Sequence, residues 1–122
     1  MRKSLWEIYK YDEELTGLED LEFARRAQAD GHRIAYVAEA PVVHVHEETW
    51  ATVRNRYRRE AIAYARIMDE KHMGAFEAIK LGISNTASDY VHAIKSREFW
   101  KHVTSIPAFR YAQFYGAWEG FR

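Results

Sequence analysis

Leu18-Glu19-Asp20-Leu21-Glu22-Phe23-Ala24-Arg25-Arg26-Ala27-Gln28-Ala29-Asp30-Gly31 is the stretch from which the fold is read. It is built from good helix formers, with acids in the first turn and arginines later, the charge order that suits a helix dipole. Gly31 then supplies a residue able to end the helix in the left-handed region. Beyond it the pattern changes. Arg33 to Ala38 holds Ile34, Tyr36 and Val37 and reads as a short strand, and Val42-Val43-His44-Val45-His46 reads as a second. Pro41 separates the two and marks a turn or an edge.

From Thr49 onward the period becomes helical. Trp50, Val53, Tyr57, Ala61, Tyr64 and Met68 recur at three- and four-residue spacing, one face of a long helix ending before Gly74. Further helices are expected over Ala75–Leu81, over part of Ala87–Arg97 and from about Ala108 to Trp118, with Pro107 suited to a first turn. The expected fold class is α+β and mostly helical: one helix and two short strands followed by a helical C-terminal region. A single domain over residues 1–122 is expected, with the acidic loop, helix and strands in 1–48 and the helical region in 49–122.

The 122 residues suffice for one ordinary domain. Eighteen Lys+Arg balance eighteen Asp+Glu, which argues against a dedicated nucleic-acid binder. No apolar run approaches the roughly 18 residues that span a bilayer, and Met1–Lys10 lacks a signal-peptide core. The absence of cysteine excludes disulfides, thiolate zinc sites and thiol catalysis, and fits a cytoplasmic setting. Neutrality conceals segregation. Six acids and no base lie between Asp12 and Glu22, four arginines fall between Arg54 and Arg59, and eight aromatics between Lys95 and Arg122.

Four features can carry chemistry. Asp20, at a helix start preceded by Thr16-Gly17-Leu18, would be held ionised by the helix N-terminus and could take a proton from a hydroxyl. The plainer alternative makes Glu19 and Asp20 first-turn helix stabilisers. His44 and His46 would share one face of a strand and could converge on a metal ion or phosphate, although such a pair needs a further ligand. Arg54, Arg56, Arg58 and Arg59 spread over more than one helix face, so a solvated flank competes with contact to a phosphorylated ligand. Phe109, Tyr111, Phe114, Tyr115, Trp118 and Phe121 fit a core, an interfacial membrane helix or a partner surface. A Gly-rich phosphate loop, Gly-x-Ser-x-Gly, His-Glu-x-x-His and Asp-x-Asp are all absent from the sequence.

The order of these signals is more specific than any one of them. Tyr11-Asp12-Glu13-Glu14-Leu15-Thr16-Gly17-Leu18-Glu19-Asp20-Leu21-Glu22-Phe23-Ala24-Arg25-Arg26, then Gly31-His32-Arg33-Ile34-Ala35-Tyr36-Val37, then Ala40-Pro41-Val42-Val43-His44-Val45-His46 resembles the acceptor-side half of family 2 glycosyltransferases. That family has the GT-A fold and transfers sugar from a nucleotide-sugar donor with inversion. The resemblance covers Leu5 to about Ile67, and Arg110 to Gly120 is similar, less specifically, to the family's terminal helix. It implies that Asp20 deprotonates the acceptor hydroxyl with Glu19 as companion, and that Gly17 and Leu18 border the acceptor. It also implies that His44, with His46 as an additional ligand, meets a divalent cation, Mn²⁺ or Mg²⁺, and that Arg54 and Arg58 contact the donor diphosphate.

The nucleotide-binding half and its Asp-x-Asp are not among these residues, so the chain is expected to transfer no sugar by itself. The expected partners are a nucleotide-sugar donor, a glycan or lipid-linked acceptor, and either a complementary N-terminal half or further copies of the chain. Peripheral membrane contact through the aromatic tail is also open. The competing functional class is a non-catalytic helical module that binds a protein or membrane partner.

Overall fold

The computed structural model describes residues 3–35, 37–39, 41–43, 48–69 and 73–122. It divides into two compact units, Met1–Glu47 and Glu48–Arg122. Six helices follow in order among the described residues: α1 (Lys3–Ile8), α2 (Glu19–Ala29), α3 (Trp50–Met68), α4 (Ala75–Lys95), α5 (Phe99–His102) and α6 (Ser105–Gly120).

The described residues contain no strand and are all-α, which corrects the α+β expectation. The two segments read as strands, 33–38 and 42–46, are irregular wherever they are described, and Ile34, Val37, Val42 and Val43 are exposed. The reason is physical. β-branched residues favour strands because they pack on a pleated, half-buried surface, and an isolated pair of strands is at best marginal in water.

In the first unit, α1 and α2 are joined around a small apolar centre of Leu15, Phe23 and Ala27. Tyr9 and Tyr11 set their rings edge-on to Phe23 at centroid distances of 5.9 and 5.8 Å. The loop between the helices is folded on itself: Asp12 Oδ1 accepts from Glu14 N at 2.9 Å. At the far end of α2, Gly31 adopts φ 85°, while His32 N donates to Ala27 O and Gly31 N to Gln28 O, both at 3.0 Å. Those two bonds and the left-handed glycine make a Schellman stop, as the position of Gly31 implied.

In the second unit, α6 packs extensively against both α3 and α4. The contact with α3 is made by the absence of side chains. A Cβ on Gly116 would collide with the Arg54 carbonyl oxygen, and one on Gly120 with the Arg58 carbonyl oxygen and, at 2.7 Å, with Ala61 Cβ. Ala112, Gly116 and Gly120, spaced four apart, therefore form a smooth stripe that lets the backbones touch. The aromatics of α6 flank it: Phe109 meets Tyr57 edge-on at 6.2 Å and Phe121 meets Tyr64 at 6.3 Å.

Helix α4 is one continuous element where two shorter helices were expected. Gly82-Ile83-Ser84-Asn85-Thr86 looks like a break, but its polar side chains bond back along the helix. Asn85 Nδ2 donates to Leu81 O at 2.9 Å and Thr86 Oγ1 to Gly82 O at 2.7 Å. Such local bonds leave the helical ladder intact. Pro107 lies in the first turn of α6, where its missing N–H costs nothing. No helix among the described residues is long and apolar enough to cross a membrane.

Candidate functional site

Leu18 fixes how the chain enters α2. Its backbone lies in the left-handed region, φ 59° and ψ 29°, a conformation that costs a non-glycine residue roughly 1–2 kcal/mol. Its carbonyl accepts from Glu22 N at 3.1 Å, so the strained residue closes the first helical turn. Strain of this kind gathers at ligand sites. Glu19, half-buried, and Asp20, exposed, follow immediately on the first turn. Asp20 Oδ1 accepts from Leu21 N at 2.9 Å, leaving its other carboxylate oxygen available for a ligand proton.

Two hollows open beside Asp20, both walled by the first unit alone. The larger, about 1100 Å³, runs from Leu5 and Tyr11 past Phe23 to His32 and Ile34. The smaller, about 620 Å³, is formed by Trp6, Lys10, Asp12, Glu13 and Glu19. Asp20 and Tyr11 belong to the walls of both. Trp6 and Tyr11 meet edge-on at 4.7 Å, and the Lys10 ammonium sits 5.0 Å from the Trp6 ring centroid. The result is a concave surface with aromatic walls and a few carboxylates, the composition of a small polar-ligand site.

The fold thus brings Asp20 together with Tyr11 and His32 in the larger hollow and with Glu19, Trp6 and Tyr11 in the smaller, and the sequence pattern gave no role to Trp6, Tyr11 or His32. Trp6, Tyr9 and Tyr11 are three aromatics in six residues, a local density that marks them in retrospect. Gly17 and Leu18 shape the backbone leading to the carboxylates. His44 and His46 lie outside the described residues, and no three His, Cys, Asp or Glu among the described residues converge as metal ligands. The described side chains therefore do not themselves compose a site for the expected divalent cation.

Arg54 and Arg58 belong to the second unit. Arg54 Nε and Nη2 donate to Glu119 Oε2 and Oε1, each at 2.6 Å, and the guanidinium lies 4.6 Å from the Tyr115 ring centroid. Donating to Glu119 raises the Arg54 pKa, and accepting the same hydrogen bond lowers that of Glu119. A diphosphate would have to displace Glu119 to use Arg54 in the same two-pronged way. Arg58 is exposed and adds to the positive field that holds Glu119 ionised.

The chain matches no protein-family model, no curated protein and no solved structure.

Proposed function

We propose that these residues form the acceptor-side portion of an inverting, nucleotide-sugar-dependent glycosyltransferase, working together with a nucleotide-binding half. One observation carries this reading: Asp20 stands exposed on the first turn of α2, in the wall shared by two aromatic-lined hollows. The sequence order that resembles family 2 glycosyltransferases supports it independently.

In the proposed reaction an acceptor hydroxyl lies against the free oxygen of Asp20. As the hydroxyl oxygen bonds to the anomeric carbon of the donor sugar, its proton passes to the Asp20 carboxylate and the nucleoside diphosphate departs. The Leu21 N–H holds the carboxylate oriented beforehand. Tyr11 and Trp6 offer apolar walls to the CH face of a pyranose ring, and Glu19 and Asp12 offer acceptors to its hydroxyls. A divalent cation on the donor side would neutralise the diphosphate leaving group.

The test is acceptor-dependent release of nucleoside diphosphate across a panel of nucleotide sugars with Mn²⁺, using the chain joined to its nucleotide-binding half. Release with at least one donor, abolished by Asp20→Asn, is expected. Release that is unchanged by Asp20→Asn contradicts the assignment.

A second reading, a helical interaction module, is favoured by the run of exposed apolar side chains along α4. It is compatible with the first, because it concerns the second unit only.

A further inference from the structure

Helix α4 turns its small residues inward and its large apolar residues outward. Ala78 and Ala93 are buried, and Gly82 lies on the same arc against Phe114. On the opposite arc Phe76 is 82% exposed, Ile83 67%, Ile79 and Ile94 61% each, and Val91 53%. At 100° per residue these side chains, with Lys80, Ala87 and Tyr90, fall within one stripe running the length of the helix.

Asn85 is the midpoint of Ala75–Lys95, and the stripe runs to both sides of it. Reversing the helix about that point exchanges Phe76 with Ile94, Ile79 with Val91, Lys80 with Tyr90 and Ile83 with Ala87. The rim beside the stripe carries one charge of each sign. Glu77 at one end and Lys95 at the other project on the same side of the stripe, and neither is held in an ion pair among the described residues. In an antiparallel pair of α4 helices centred on Asn85, Glu77 of each copy would lie on the same flank as Lys95 of the other, about 3 Å from it along the axis and within reach of its long side chain.

We propose that α4 is a self-association surface: two copies of this chain pair their α4 helices antiparallel about a two-fold axis at Asn85. A two-fold interface requires a patch complementary to itself; the stripe offers large apolar side chains to both sides of Asn85, with Glu77 and Lys95 of opposite sign along one flank. Phe76 meets Ile94 and Ile79 meets Val91, and Ala87 opposite Ile83 lets the helix axes approach to the usual 8–10 Å. Antiparallel helix dipoles add to the attraction. An anionic lipid surface would instead call for a rim of one sign, basic along its whole length, and Glu77 breaks that pattern.

The full chain, studied by light scattering at tens of micromolar, is expected to have twice its 14.4 kDa mass. Ile83→Glu, at an exposed position, should give a monomer of unchanged helicity, raising the dissociation constant by about a hundredfold or more. Glu77→Lys and Lys95→Glu should each weaken the dimer, and the two together should restore it. The chain has no cysteine, so register can be read directly: Ile83→Cys mixed with Ala87→Cys should form a disulfide between chains on oxidation. Neither variant should do so alone, because like positions lie too far apart for a disulfide. A monomer at these concentrations, a dimer indifferent to Ile83→Glu, self-crosslinking of Ile83→Cys, or a monomer that binds phosphatidylserine vesicles through α4 would each overturn the proposal.

Discussion

Arg110 of α6 grips Asp89 of α4 through two hydrogen bonds, Nε to Oδ2 at 2.7 Å and Nη2 to Oδ1 at 2.9 Å. Its remaining nitrogen, Nη1, donates to Gln113 Oε1 at 2.7 Å. The fork ties α4 to α6 across the faces on which the two helices pack.

The Arg110 hydrogen bond, opposed in part by burial, lowers the Asp89 pKa from its ordinary 3.8. A carboxylate whose folded pKa is depressed stabilises the fold above its unfolded pKa. That stability is lost as pH falls through the folded value. Asp89→Asn should therefore cost about 1 kcal/mol at neutral pH. The cost should shrink towards zero as pH drops below about 3.8. Urea unfolding of wild type and variant at pH 7 and pH 2 measures both.

Two glycines of the helical unit should respond to alanine with opposite signs. Alanine at Gly116 gains helix propensity but must push apart α6 and the Arg54 carbonyl, for a net loss of about 1–3 kcal/mol. At Gly82 the nearest neighbour of a new Cβ is Phe114 Cδ2 at 3.7 Å, an ordinary contact, so Gly82→Ala should stabilise by up to about 1 kcal/mol. Thermal unfolding of the two variants should move the midpoint in opposite directions.

Leu18 and Arg97 both hold left-handed backbone, at φ 59° and 61°. Glycine at either position should stabilise by about 1 kcal/mol, because the folded conformation then carries no Cβ penalty. The functional consequences should differ. Arg97 ends α4, where Glu98 N donates to Ala93 O at 2.8 Å, so its replacement should leave transfer unchanged. Leu18 precedes Asp20 by two residues, so loosening it should raise the KM for acceptor. Steady-state kinetics beside unfolding curves separates the two effects.

Sequence signals were sufficient wherever structure is local. The acids of α2's first turn and Gly31 placed that helix, and the apolar period from Trp50 placed α3. Thr49 caps α3, its Oγ1 accepting from Thr52 N at 3.3 Å. The signals misled where a residue's behaviour depends on its neighbours. Ile34, Val37, Val42 and Val43 favour strands only when a sheet is present to pack against. Ser84, Asn85 and Thr86 resemble a loop until their side chains find carbonyls one turn back. The candidate site was half legible. Asp20 and Glu19 stand out by helix position, but Trp6 and Tyr11 reach them only after α1 and α2 fold together. Arg54 stood out as a phosphate ligand because Glu119, its partner 65 residues away, cannot be inferred from spacing.

The turnover of Asp20→Asn, measured with the chain joined to its nucleotide-binding half, tests the central claim most directly. If Asp20 takes the acceptor proton, kcat should fall by about 10²–10⁴-fold. The unfolding midpoint should barely change, because the side chain is exposed and Asn still accepts the Leu21 N–H bond. Transfer at the wild-type rate by a folded Asp20→Asn protein would contradict the assignment of Asp20 as the base.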